Sequence, residues 1–201
     1  MLVDTEPLYF EATCECIRPL GVELDKAEYL KDMAAGRSAW ERARERGATE
    51  EEIRQGKAAR NARYQQLIRA RNIQIPGVRQ ALEELSRRYA MAIVTTSKRA
   101  DFELIHREGH IVRHMQFVLV SGDYARPKPA PDPYLTALDR FGAAPHEALV
   151  VEDSERGLRS AVAAGIDCVV VANEFVNGQD LSAATHSIDS VAQLPRLLAR
   201  L

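Results

Sequence analysis

Val150-Val151-Glu152-Asp153-Ser154 is the stretch of this sequence that says most about its architecture. An apolar run ends in two adjacent acids, and Gly157 follows where the pattern predicts the start of a helix. Such a run is typical of a strand buried on both faces of a parallel sheet, and ligands of open parallel sheets bind beyond the carboxyl ends of the strands. The two carboxylates are therefore predicted to lie at that edge of the sheet.

Apolar strands alternate with amphipathic helices from Ile75 onward. Strands are predicted at residues 90–95, 117–121, 148–151 and 168–172, and helices at 78–89, 101–108, 131–141, 157–164 and 191–201. This alternation implies right-handed crossovers and a parallel sheet. The predicted fold class is α/β, with a Rossmann-like parallel sheet as its core.

The N-terminal third has a different pattern, with helical spacing of apolar residues and few strand signals. Helices are predicted at residues 9–20, 24–33, 38–46 and from Thr49 to about residue 71. Thr49 precedes three glutamates, which is typical of an N-cap followed by acids that the helix dipole favours. Residues 1–7 and 75–201 are predicted to form the core, and residues 8–74 an inserted α-helical domain.

Composition limits the function classes. The 201 residues carry 27 basic and 29 acidic side chains, so no overall field favours nucleic acid or a membrane surface as a partner. No apolar run has the length of a membrane span, and the N-terminus lacks the features of a signal peptide. The three cysteines are interpreted as reduced thiols, so a cytoplasmic location is expected.

Three polar segments follow predicted strands, and the fold would bring them to one rim. Hydroxyl groups can hold phosphate oxygens, a lysine between prolines supplies a fixed positive charge, and carboxylates bind Mg²⁺. Together they suit the chemistry of a phosphate ester. The candidates are Thr95 and Lys128 for catalysis, Thr96, Ser97 and Lys98 for substrate binding, and Glu152 and Asp153 for Mg²⁺.

Each candidate also has an ordinary structural interpretation. Glu152 and Asp153 could belong to a strand-to-helix loop, Lys128 could be a solvated loop residue, and Thr95 could be a β-branched strand residue. Three histidines at a spacing of four suggest a zinc site, but Gly109 is expected to interrupt the helix between the first two. The order of the three polar segments on alternating strands favours the phosphate site.

These segments resemble motifs of the haloacid dehalogenase (HAD) superfamily, in the branch of phosphatases and β-phosphoglucomutase-like enzymes with a helical cap. Residues 93–97 look like its second motif, with Thr95 as the phosphate-binding hydroxyl. Lys128, within Pro127-Lys128-Pro129-Ala130-Pro131-Asp132, looks like the lysine of the third, and residues 151–157 look like the fourth. Residues 75–78 are similar to the re-entry from cap to core, so the resemblance covers essentially the whole chain.

The resemblance implies Mg²⁺-dependent hydrolysis of a small phosphomonoester, of sugar-phosphate or phosphoglycolate type, through an aspartyl-phosphate. The partner would be a small phosphorylated metabolite, and the protein a monomer or homodimer. Arg37 lies in a predicted cap loop, where it could select a second anionic group or be a plain surface arginine. Ala39 after Ser38 departs from the mutase members and favours a phosphatase.

The family's first motif, Asp-x-Asp-Gly, should immediately precede Leu2-Val3-Asp4 and is not in the 201 residues. It supplies the nucleophile, the general acid/base and the first core strand. One hypothesis is that translation was assigned to start too late, at an internal GTG codon at Met1; the other is a truncated paralogue. Three rival functions remain: a mutase, a dehalogenase, and a non-catalytic protein that binds phosphate compounds or a partner chain. The acid pair Glu152-Asp153 disfavours the dehalogenase.

Overall fold

The computed structural model describes residues 1–35, 37–173 and 178–201. These residues form two compact units. One is an α/β unit of Met1–Leu2 and most of the chain from Gln74 onward, and the other is a helical unit of Val3–Ile73. Within the described ranges, no helix combines the length and apolar character needed to cross a bilayer.

The helical unit contains α1 (Glu6–Ile17), α2 (Lys26–Ala34), α3 (Ala39–Glu45) and α4 (Glu50–Ala70). The N-cap predicted at Thr49 is confirmed as a capping box. The Thr49 side chain accepts from the Glu52 N–H at 3.3 Å, and the Glu52 carboxylate accepts from the Thr49 N–H at 2.8 Å. This reciprocal pair satisfies two backbone donors and fixes where α4 begins.

The α/β unit follows the predicted alternation of strands and helices. Its elements are α5 (Val78–Leu85), β1 (Ala92–Val94), α6 (Arg99–Ile105), β2 (Phe117–Leu119), α7 (Asp132–Phe141), β3 (Leu149–Glu152), α8 (Glu155–Ala163), β4 (Asp167–Val171), β5 (His186–Ile188) and α9 (Leu194–Leu198). The α/β class with parallel strands is confirmed. Strand β5 was not predicted, and α5 ends four residues earlier than expected.

The parallel strands are distributed over two sheets, β1-β2 and β3-β4-β5. Ile93 lies opposite Val118 in the first sheet, and Val151 lies opposite Val169 in the second. In the part of the chain that the structure describes, no strand pairing joins β1 to β3. Both strands therefore keep an edge without a neighbouring strand, and their carboxyl ends carry the predicted site residues.

The packing of strand β4 explains why its sequence is a continuous apolar run. Val170 belongs to a buried cluster that includes Leu158 of α8, and Val169 belongs to another that includes Val78 and Leu82 of α5. The two faces of β4 are therefore covered by helices, which is the usual environment of a parallel strand. This packing holds β3, the neighbour of β4, and presents Glu152 at its carboxyl end.

Candidate functional site

A buried ion pair between Lys128 and Glu152 forms the centre of the candidate site. The Lys128 Nζ lies 2.5 Å from Glu152 Oε1, and the two residues are only 8% and 6% exposed. Nζ also donates to the Val94 carbonyl oxygen at 3.0 Å and to the Tyr134 hydroxyl at 2.9 Å. An ammonium group has three protons, so these three acceptors use all of its donor capacity.

Lys128 reaches the edge of β1 that faces away from β2. The Thr95 N–H donates to Leu119 and the Met91 carbonyl accepts from Gln116, so these residues pair toward β2. Because strand residues alternate in direction, the Val94 carbonyl points to the opposite edge, where Lys128 meets it. A lysine side chain thus links the end of β1 to the end of β3, where a strand pairing is absent from the described sheets.

The Glu152 carboxylate is surrounded by donors. Oε1 accepts from Lys128 and, at 2.6 Å, from the Tyr134 hydroxyl. Oε2 accepts from the Asp153 N–H at 3.1 Å and from the Ser154 hydroxyl at 3.3 Å. Four donors fill the usual acceptor positions of a carboxylate, so Glu152 can bind a metal only by exchanging one of them. Its assignment as a Mg²⁺ ligand stays a prediction.

Tyr134 is a site residue that the sequence interpretation missed. Its ring lies under Lys128, with Nζ 4.6 Å from the ring centroid, and its hydroxyl contacts both members of the ion pair. Burial, and next the charge of Glu152, raise the pKa of Tyr134 far above its ordinary value. The hydroxyl therefore stays protonated and donates a hydrogen bond to Glu152. The sequence signal that could have indicated Tyr134 is its position in the first turn of α7, the helix that follows the loop containing Lys128.

Gly157 makes room for the carboxylate. A Cβ added to Gly157 would lie 1.9 Å from Glu152 Cδ, a contact that no side chain can keep. We expect Gly157→Ala to lower the free energy of unfolding by about 2–4 kcal/mol, because the carboxylate or the start of α8 must move. The measurement is chemical denaturation followed by circular dichroism.

The matched control for Gly157→Ala is the same change in a Glu152→Ala background. There the clashing carboxylate is gone, and alanine in a helix is intrinsically better than glycine by about 1 kcal/mol. The second change should then be neutral or stabilising. An equal loss in both backgrounds would show that Gly157 is required for another reason.

The Thr95 hydroxyl lies at the carboxyl end of β1, as predicted. It accepts from the Ser97 N–H at 3.1 Å and donates to the Ser97 hydroxyl at the same distance. The Tyr124 hydroxyl donates to the Thr95 carbonyl at 2.8 Å, which anchors the turn. Thr96 in this turn is half-buried, while Lys98 is exposed and precedes α6. The structure thus groups four candidate residues in one turn.

Asp153 is the more accessible of the two acids. Its side chain is 35% exposed, and Oδ2 lies 2.9 Å from the Met1 amino group. The positively charged Met1 amino group therefore already contacts the Asp153 carboxylate. The carboxylate oxygens are ligands that suit Mg²⁺. Within residues 1–35, 37–173 and 178–201, no group of three or more His, Cys, Asp or Glu side chains could hold a metal. Mg²⁺ bound at Asp153 would need water and phosphate oxygens as further ligands.

Arg37 lies in the helical unit and is engaged with that unit's own acids. Its guanidinium is 2.7 Å from Glu45 and 3.7 Å from Glu41. A role in selecting a second anionic group stays a prediction. The three histidines have separate neighbours: the His106 ring is tilted against the Phe102 ring with 4.5 Å between centroids, His110 is 3.4 Å from Glu108, and His114 is 3.4 Å from Ser86. This arrangement gives no support to a zinc site.

Comparison with known proteins shows which family this chain resembles. The family model for haloacid dehalogenase-like hydrolases matches residues 1–171. Protein CbbY of Rhodobacter capsulatus is 30% identical over 203 aligned positions, which cover 95% of this chain and 89% of CbbY. A probable pseudouridine-5'-phosphatase of Drosophila melanogaster is 30% identical, with 96% and 86% of the two chains covered. The crystal structure of a CbbY mutant from Rhodobacter sphaeroides in complex with xylulose-(1,5)bisphosphate is 26% identical, with a TM-score of 0.78 and coverage of 96% of this chain and 91% of that one.

Proposed function

The chain belongs to the haloacid dehalogenase-like hydrolase family, and from this premise we propose that it acts in the Mg²⁺-dependent hydrolysis of small phosphomonoesters. The observation that carries the proposal is the buried Lys128 ammonium beside the hydroxyl-rich turn of β1 and the acid pair of β3. Relatives named as phosphatases support the phosphate ester as the substrate class.

Each residue has a role that its surroundings favour. The positive charge of Lys128, placed in a buried setting, would offset the charge that develops on a transferring phosphoryl group. The hydroxyls of Thr95 and Ser97 and the exposed Lys98 would hydrogen-bond or attract the phosphoryl oxygens, with Thr96 alongside. Asp153 would hold Mg²⁺, which when bound neutralises phosphate charge and orients the ester. Glu152 keeps Lys128 in place and would join the metal only after losing a donor.

The attacking carboxylate is the part of the mechanism that these 201 residues do not supply. By the resemblance, it belongs to an Asp-x-Asp-Gly sequence directly before Leu2. A residue joined to Met1 would begin beside Asp153, because the Met1 amino group is 2.9 Å from that carboxylate. We propose that this carboxylate attacks phosphorus as the alcohol leaves, and that water then releases phosphate from the aspartyl-phosphate.

A second candidate is a non-catalytic role in binding phosphate compounds. The hydrogen bonds of Lys128 favour this binding role for the 201-residue form, because all three N–H groups of the ammonium already donate to protein acceptors. A mutase is disfavoured by Ala39, which replaces the residue expected after the cap-loop serine. A product screen separates these candidates: a phosphatase releases inorganic phosphate, a mutase yields an isomeric sugar phosphate, and a binding protein yields neither.

The test is an assay of phosphate release from sugar phosphates and phosphoglycolate, with Mg²⁺ or with a chelator, on a form that carries the Asp-x-Asp-Gly sequence. We expect turnover that depends on Mg²⁺, and we expect Asp153→Asn to lower kcat/KM by about 10²–10³-fold. Asp139→Asn, on an exposed position of α7, is the control and should leave kcat/KM unchanged. Turnover that is indifferent to the chelator and to Asp153→Asn would overturn the proposal.

A further inference from the structure

Lys128, Tyr134 and Glu152 form a closed triangle of hydrogen bonds inside the α/β unit. The Lys128 Nζ is 2.9 Å from the Tyr134 hydroxyl and 2.5 Å from Glu152 Oε1, and the same hydroxyl donates to Oε1 at 2.6 Å. All three residues are buried. The Tyr134 hydroxyl therefore accepts from Lys128 while its own proton is directed at Glu152.

The ammonium of Lys128 has no N–H to spare for a ligand. Its third N–H donates to the Val94 carbonyl oxygen at 3.0 Å, so each of its three protons already has a protein acceptor. A phosphoryl oxygen that accepts from Lys128 must therefore displace one of these acceptors. The choice of acceptor affects how tightly a phosphate group binds, because the hydrogen bond that breaks offsets part of the one that forms.

The Tyr134 hydroxyl is the acceptor whose displacement costs least. Separation of Lys128 from Glu152 would leave a buried carboxylate without its cation. Release of the Val94 carbonyl would leave a backbone oxygen unpaired on the edge of β1 that has no neighbouring strand in the described sheets. The hydroxyl would lose only its role as an acceptor. Its proton still donates to Glu152, and the ammonium stays near the tyrosine ring, whose centroid is 4.6 Å from Nζ.

We propose that Tyr134 is a positioning residue for phosphate binding, an inference that rests on the proposed function. In the ligand-free chain its hydroxyl holds one N–H of Lys128, and this N–H turns to a phosphoryl oxygen when a phosphate group binds. The hydroxyl thus keeps Lys128 oriented in the empty site and lowers the affinity for phosphate. The same exchange favours the release of inorganic phosphate, which is the product of the proposed hydrolysis.

The experiment titrates the 201-residue chain and its Tyr134→Phe variant with inorganic phosphate and measures binding by calorimetry. We expect Tyr134→Phe to bind phosphate about three- to tenfold more tightly, because one N–H of Lys128 then lacks an acceptor until the ligand arrives. The variant should also unfold at a lower urea concentration, since Lys128 and Glu152 each lose a hydrogen-bond partner. A residue with a merely structural role would lose affinity together with stability.

Two tyrosines of the same unit provide matched controls. Tyr89→Phe removes a hydroxyl from an exposed residue and should leave the affinity for phosphate unchanged. Tyr124→Phe removes a hydroxyl that donates to the Thr95 carbonyl, and it should not make phosphate bind more tightly. A further measurement needs no variant. In the original chain with ¹³C-labelled tyrosine, saturation with phosphate should shift the NMR signal of Tyr134 Cζ, which senses its hydroxyl, and leave that of Tyr89 in place.

Equal or weaker binding of phosphate by Tyr134→Phe would overturn the proposal, and so would an equal gain in affinity from Tyr124→Phe. If Tyr134→Phe does not fold, the tyrosine NMR signal decides, and an unshifted Tyr134 signal at saturation refutes the exchange. The absence of saturable phosphate binding in both chains refutes it too.

The proposed function is tested separately, on a form that carries the Asp-x-Asp-Gly sequence. There inorganic phosphate should inhibit the Tyr134→Phe variant more strongly than the parent, by the same three- to tenfold factor as in the titration. If that form shows no Mg²⁺-dependent turnover, the proposed function fails, while the phosphate titration of the 201-residue chain still decides the role of Tyr134.

Discussion

A form of the chain extended before Met1 by an Asp-x-Asp-Gly sequence is expected to hydrolyse phosphomonoesters at least about 10⁴-fold faster than the 201-residue form. The reason is that the extension supplies the carboxylate that attacks phosphorus, while the lysine, the hydroxyl turn and Asp153 are already placed. The Met1 amino group at Asp153 puts the added residues next to the proposed Mg²⁺ ligand. Initial rates of phosphate release in Mg²⁺ measure the difference.

The matched control is the same extension with its first aspartate changed to asparagine. It should bind and fold like the active form but remain as slow as the 201-residue form. The extended forms should also be more stable, because an added strand can pair with the open edges of β1 and β3. Robust Mg²⁺-dependent hydrolysis by the 201-residue form would contradict the proposed mechanism, because no attacking aspartate precedes Leu2 there.

The α/β architecture could be predicted because its signals are local. Apolar runs and helix boundaries depend on neighbours in sequence, and the alternation of the two implies a parallel sheet. Strand β5 was missed because His186-Ser187-Ile188 is short and polar, so only its pairing with β4 makes it a strand. The sequence left open how the sheet copes without the first core strand, and the structure has two sheets, β1-β2 and β3-β4-β5. A strand edge is decided by contacts between distant segments, so its pairing could not be predicted.

The site was predictable in its charged residues and not in what surrounds them. Lys128, Glu152 and Asp153 stand out by residue type and by position after predicted strands. Tyr134 does not stand out in the sequence, because it lies among apolar residues that follow helical spacing in α7. Its role depends on an ion pair between residues 24 positions apart, which only the folded chain shows.

Lys128→Met is expected to lower the free energy of unfolding by about 3–5 kcal/mol, because it leaves the buried Glu152 carboxylate without its cation. Methionine has a similar length, so the loss reflects charge and hydrogen bonds more than a cavity. The Tyr134 hydroxyl and the two donors to Oε2 remain, but they are neutral and cannot replace an ammonium. Urea denaturation at pH 8 measures the effect.

A double variant, Lys128→Met with Glu152→Gln, isolates the interaction. It should recover about 2 kcal/mol or more relative to Lys128→Met, since removing both charges costs less than stranding one. Lys98→Met, at an exposed lysine near the same strand ends, is the control and should change stability by less than about 0.5 kcal/mol. If Lys128→Met were as mild as Lys98→Met, the ion pair would not be holding the ends of β1 and β3 together. The central position given to Lys128 in the site would then be wrong.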